Sequence, residues 1–116
     1  MEKIYDVIVV GSGPAGLTAG IYTSRGAAST LIIGGAKWGG QLMLTTQVEN
    51  FPGFPDGILG PDLMVKMRKQ AEKLGVEFLT QDADRVNLIT SPFEVVSGGQ
   101  VFKSKRLIIA TGALTR

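Results

Sequence analysis

Up to Ile33 the apolar positions fall in two short runs separated by a helical period. Val7-Ile8-Val9-Val10 is continuous and mostly β-branched, the pattern of a strand buried on both faces. From Pro14 to Arg25 the spacing predicts a helix that turns Leu17, Ile21 and, beyond its end, Ala28 toward the sheet. Pro14 suits the first helical turn, where its missing N–H is no loss, and Gly26 is placed to cap the far end. Thr30-Leu31-Ile32-Ile33 is again short and apolar. Strand, helix and strand in this order predict a βαβ unit with a right-handed crossover.

The period is lost between Gly34 and Gly60. A long irregular segment in a small domain is usually functional or disordered, and Trp38, Phe51 and Phe54 argue against disorder. The bland alternative is an ordinary long loop, with turns at Asn50-Phe51-Pro52-Gly53 and Pro55-Asp56-Gly57. A second helix is expected from Pro61 at its first position. Its buried face carries Leu63, Met67, Ala71 and Leu74, and Gly75 stops it. Lys66, Lys69 and Lys73 share another face, read as solvated surface rather than a docking site. Val76 to Leu79 follows as a third parallel strand. The period then changes to two: Val86-Leu88, Phe93-Val95 and Val101 predict an antiparallel meander turning at Gly98-Gly99. Leu107-Ile108-Ile109-Ala110 closes the chain as a separate buried strand that runs out at Thr111-Gly112. The fold class is α/β, a Rossmann-like parallel sheet flanked by helices, with a small antiparallel β-meander.

Composition narrows the chemistry. With 116 residues, 44% hydrophobic and 19% charged, the chain suits one folded domain. The net charge of +2 gathers into nothing larger than Lys103-Ser104-Lys105-Arg106, so no nucleic-acid partner is expected. The absence of histidine and cysteine excludes a Cys/His metal site, a disulfide framework, a Ser-His-Asp triad and a redox dithiol within this chain. No apolar run approaches the ~18 residues of a membrane span. The stretch behind MEKIYD runs straight into a glycine turn rather than a cleavage site. The expectation is a cytoplasmic protein without a membrane partner.

The glycine turn carries the candidate function. Gly11, Gly13 and Gly16 fit the G-x-G-x-x-G spacing between a strand and a helix. Gly11 permits the tight turn, Gly13 lets a pyrophosphate approach the backbone, and Gly16 lets the helix lie close on the sheet. The open amides and positive end of the helix then face the diphosphate. The pattern also calls for an acid about 20 positions on, for the ribose hydroxyls. Here the second strand ends in Gly34-Gly35, and the next acid is Glu49.

Several stretches together resemble one family. YDVIVVGSGPAG, GGQL (Gly39 to Leu42), TTQVENFPGFPDG (Thr45 to Gly57), GPDLM (Gly60 to Met64) and IIATGA (Ile108 to Ala113) are similar, in order and over the whole chain, to the N-terminal flavin-binding segment of low-molecular-weight thioredoxin reductases. GSGPAG and ATG are shared with many flavoproteins, whereas GGQL followed by VENFPG is more specific.

The resemblance implies an FAD site. Gly11, Ser12, Gly13, Pro14 and Ala15 would surround the pyrophosphate, with Gly16 completing the motif. Gly40, Gln41 and Leu42 would lie along the ribityl chain, Thr46 and Asn50 would hydrogen-bond near the isoalloxazine or ribityl groups, and Val86 would meet the adenine through its backbone. Thr111 and Gly112 would close the site. It further implies that residues 1–116 are only the first segment of a discontinuous FAD domain. The NADPH- and Cys-x-x-Cys-bearing domain and a returning segment lie outside it. The parent would be a homodimer passing electrons from a nicotinamide (or ferredoxin) through FAD to a disulfide and thioredoxin. Without that returning segment one sheet face is expected to lack cover, so the chain alone is expected to self-associate and to be catalytically incomplete. Two other readings stay open: a stand-alone flavin- or nucleotide-binding module, and a segment of a related flavoprotein reductase.

Overall fold

A computed structural model describes residues 3–35 and 38–112. Its elements run β1 (Ile4–Val10), α1 (Pro14–Arg25), β2 (Thr30–Ile33), a 3-10 turn (Gly40–Leu44), β3 (Gln47–Val48), β4 (Ile58–Leu59), α2 (Gly60–Lys73), β5 (Glu77–Leu79), β6 (Arg85–Asn87), β7 (Phe93–Ser97) and β8 (Gln100–Ile109). Six strands form one sheet in the order β5-β2-β1-β8-β7-β6, and β3 pairs with β4 in a separate ribbon. The β5-β2-β1-β8 half is parallel and the β8-β7-β6 half antiparallel.

Alternate residues of the central strands feed two cores. Val7, Val9 and Ile32 face Leu17 of α1 and Leu63, Met64, Met67 and Ala71 of α2. Ile8, Val10, Leu31 and Ile33 point the other way, into a core with Val95 and the partly buried Val86, Phe102 and Leu107. The helices therefore cover one face and the meander side contributes to the other. This is why the first two strands read as unbroken apolar runs.

The final strands differ from expectation. Val101 and the Leu107 run belong to one ten-residue strand, β8. Its first half pairs antiparallel with β7 after the turn at Gly98-Gly99, from Ser97↔Gln100 to Phe93↔Ser104. Its second half pairs parallel with β1, through Val10↔Ile109. The polar stretch Lys103 to Arg106 is the strand's middle. Ser104 is buried there, while Lys103 and Lys105 reach Glu94 and Asp6. Nor is the closing strand buried throughout: Ile109 is 58% exposed.

Smaller differences have local causes. Gly60, not Pro61, opens α2, and Met64 takes a buried place while Leu74 sits half-buried as its C-cap. Gly75 follows in the left-handed region at φ +94°, as its stop role requires. The Gly34–Gly60 segment contains the 3-10 turn and the β3–β4 ribbon, with Phe51 and Phe54 rings 6.3 Å apart. Leu88 lies outside β6 and is exposed. Among the described residues no helix is long and apolar enough to cross a membrane.

Candidate functional site

Strand register builds the site. Val10 is level with Ile33 on one side and Ile109 on the other, and Ile33 is level with Leu79. Four parallel strands thus end flush, and the segments after them emerge along one sheet edge. Ligands of open α/β folds bind outside such carboxyl ends. A cleft of about 920 Å³ lies there, lined by residues 10–15, 33–35, 40–42, 82–83 and 110–112.

Close approaches order these segments along the cleft. At one end, a Cβ on Gly35 would fall 1.8 Å from Asp82 Oδ1. Next, a Cβ on Gly34 would fall 2.2 Å from the Ser12 side chain. Gly13 then faces the Gly39-Gly40 backbone, where a Cβ would sit 3.7 Å from the Gly40 Cα. The sequence from end to end is therefore Asp82, Gly35, Gly34, Ser12, Gly13, Gly40, with Gln41 and Leu42 beyond.

The centre of this path is the start of α1. Its N-cap, Gly13, offers no side-chain cap, and its first turn holds no acid. The helix's amides and positive end therefore open on the cleft without an internal anion to satisfy them. The turn before it is held rigidly. Gly11 N–H donates to Ile33 O at 2.9 Å, Ala110 N–H to Val10 O at 2.8 Å, and Gly39 N–H to Ser12 O at 2.9 Å. Gly11 adopts φ +120°, and a Cβ there would come 1.9 Å from Ala110 O, so both conformation and space demand glycine. On the other flank, the Thr45 hydroxyl donates to Leu42 O at 2.9 Å, and Gly60 N–H donates to Thr46 O at 2.8 Å. The start of α2 thereby braces the turn that carries Gly40, Gln41 and Leu42.

Gly11, Ser12, Gly13, Pro14, Ala15, Gly40, Gln41, Leu42, Thr111 and Gly112 all line this cleft. Four candidates stand elsewhere. Gly16 is buried inside α1, where a Cβ would come 2.0 Å from Gly11 O; it packs the helix on the turn. Thr46 and Asn50 are exposed outside the lining. Val86 lies on β6, level with Val95, and packs into the meander-side core. Asp82 and Ala83, a few residues before it, reach the cleft instead. Together with Gly34 and Gly35 they were missed because no motif marks them; their signal is only that they follow parallel strands.

The chemistry of the lining is that of binding. Among the described lining residues Asp82 alone is charged, and no described cluster of acids is arranged to hold a metal ion. The perturbed titrations lie instead near the amino-terminal ends of β1 and β5. Burial, and then the Glu77 carboxylate 3.0 Å from its hydroxyl, push Tyr5 up to about 12. The Ser29 amide, donating to Asp6 at 2.8 Å, holds that carboxyl below its usual range. The Lys3 ammonium does the same for Glu77. A cleft with an uncapped helix start along it and a carboxylate in its lining suits an extended ligand that carries an anionic group.

The sequence profile of the pyridine nucleotide-disulphide oxidoreductase family matches residues 5–116. The chain is 50% identical, over 99% of its length, to "NADPH-dependent thioredoxin reductase 3" of Arabidopsis thaliana, covering 22% of that protein. It is 49% identical, over its whole length, to the thioredoxin reductase of Streptomyces clavuligerus, covering 37% of it. Among solved structures, thioredoxin reductase from Giardia duodenalis superposes with a TM-score of 0.93 at 40% identity, over 99% of this chain and 38% of that one. The chain thus spans about a fifth to two fifths of the length of these relatives. On its profile, fold and site it belongs to the pyridine nucleotide-disulphide oxidoreductase family.

Proposed function

We propose that this chain supplies the FAD-binding part of a thioredoxin reductase. The observation that carries the reading is the linear order of the cleft, with the uncapped start of α1 at its centre. The backbone of Gly11, Ser12, Gly13 and Ala15 receives the diphosphate. Gly40, Gln41 and Leu42 line the path of the ribityl chain, and Thr111 and Gly112 close the cleft over Gly11. Thr46 and Asn50 belong to the segment beyond the 3-10 turn, beside the flavin end. FAD supplies the chemistry, carrying electron pairs between a nicotinamide and a disulfide; the residues here bind and orient it. The relatives' names point to NADPH as donor and thioredoxin as acceptor. The dithiol belongs to a part of the protein outside residues 1–116, which hold no cysteine. Cytoplasmic residence and a homodimeric parent belong to the same proposal.

The test is a visible absorption spectrum of the purified 116-residue chain after incubation with FAD and gel filtration. A flavin spectrum co-eluting at one FAD per chain is expected, and its loss in Gly13→Gln, whose side chain fills the cleft beside Gly40, is expected too. A wild-type chain that retains no flavin contradicts the proposal.

A further inference from the structure

We infer that Asp82 is the acid that holds the adenosine ribose, taking the place of the acid missing after the second strand. The inference rests on the FAD reading above and names a specificity residue of that same cleft.

In the dinucleotide pattern an acid at the end of the second strand accepts hydrogen bonds from vicinal ribose hydroxyls. This chain has Gly34 and Gly35 there. The structure shows what occupies that space. A Cβ on Gly35 would fall 1.8 Å from Asp82 Oδ1 and 3.0 Å from its Cγ, so the carboxylate lies against the glycine, in the room a side chain would take. The same carboxylate lines the cleft. Register explains how a residue so distant in sequence arrives there. β2 and β5 are neighbours with Ile33 level with Leu79, so the segment after β5 runs beside the segment after β2.

Asp82 is anchored through its backbone. Its carbonyl accepts the Ser97 hydroxyl at 2.7 Å, from the fully buried Ser97 of β7. The neighbouring Gly34 N–H donates to Leu79 O at 3.1 Å. Position is thus set by main-chain contacts, leaving the carboxylate aimed at a ligand rather than consumed in holding the fold. Its distance along the cleft also suits the role. Gly35 and Gly34 separate it from Ser12 and the helix start, keeping the acid away from the diphosphate and beside the nucleoside. A carboxylate accepting from two adjacent hydroxyls selects a cis-diol over a deoxyribose or a phosphorylated ribose.

The experiment is a fluorescence titration of the 116-residue chain with FAD and with FAD lacking the adenosine 2′-hydroxyl, for wild type and Asp82→Asn. Asp82→Asn is expected to weaken FAD at least about tenfold, as loss of charge-assisted hydrogen bonds does. The deoxy analogue is expected to bind wild type weakly and to be far less sensitive to the substitution. Thermal unfolding of Asp82→Asn is expected to match wild type, separating lost recognition from lost fold. Equal FAD affinity of wild type and Asp82→Asn, or an equal loss for FAD and the deoxy analogue, overturns the inference and leaves the FAD reading standing. A wild-type chain that binds neither flavin overturns both.

Discussion

Replacing Gly11 by alanine tests the geometry that joins the sheet to the cleft. The new Cβ would lie 1.9 Å from Ala110 O, where real Cβ atoms essentially never come within 3.0 Å, so a backbone must yield by about 1 Å. The yielding elements are the last rungs of the central strands, Gly11 N–H to Ile33 O and Ala110 N–H to Val10 O. Weakening both costs about 1–3 kcal/mol together. Holding a side chain at φ +120° adds roughly 1–3 kcal/mol. The total, about 2–6 kcal/mol, compares with a stability of roughly 6–17 kcal/mol for a domain of this size. Gly75 isolates the conformational part: it has φ +94° with nothing within 4 Å of a Cβ, so Gly75→Ala should cost only about 1–2 kcal/mol. In thermal unfolding followed by far-UV circular dichroism, at about 4 °C per kcal/mol for this chain length, Gly11→Ala should melt roughly 8–24 °C below wild type, and Gly75→Ala about 4–8 °C below. Equal shifts for the two variants would refute the steric argument and show that β1 and β8 diverge at their ends.

Other perturbations probe other parts of the molecule. Leu17 is fully buried between α1 and the sheet, so Leu17→Ala should lose about 2–5 kcal/mol in urea unfolding; a loss below about 1 kcal/mol would deny that α1 packs there. Arg68 lies 4.7 Å from the ring centre of Trp38 and 4.2 Å from that of Phe78. Arg68→Ala should cost about 1–2 kcal/mol and alter the emission of Trp38, the chain's one tryptophan; unchanged emission would contradict the stacking. Stability should also depend on pH at both extremes. Asp6 and Glu77 bind protons less readily folded than unfolded, so their contribution is present above the ordinary carboxylate range and is lost as pH falls through their lowered values. Tyr5 holds its proton more tightly when folded, so its contribution is complete below pH 10.0 and disappears as pH rises toward about 12. Urea midpoints across pH should show both declines, and Tyr5→Phe should remove the alkaline one. The exposed Ile109, with Ile4 and Val101 also exposed on their strands, leads us to expect concentration-dependent association in light scattering; a monodisperse monomer at all concentrations would argue against it.

Local rules located most of this architecture. The Val7–Val10 run, the Pro14 helix start and the glycine spacing act over a few residues, and they predicted β1, α1 and the turn between them. What escaped depends on pairing between distant segments. The continuity of β8 through its polar middle rests on pairing with β7 and on Asp6 rather than on the strand's own pattern. Val86, which the resemblance implies would meet the adenine through its backbone, puts its side chain into the core with Val95, a placement set by the pairing of β6 with β7. Asp82 was invisible for the complementary reason. Its place opposite Gly35 follows from the register of β5 against β2, and nothing adjacent to it in sequence announces that.

The proposed function requires FAD to lie along the cleft at the carboxyl edge of the sheet. Amide chemical shifts of the isotope-labelled chain, recorded as FAD is added, test this most directly. Shifts are expected at Gly11, Ser12, Gly13 and Ala15, at Gly34 and Gly35, at Gly40 to Leu42, at Asp82 and Ala83, and at Ala110 to Gly112. Shifts confined instead to the groove between α1 and α2, around Tyr22 and Gln70, or no shifts at saturating FAD, would contradict it.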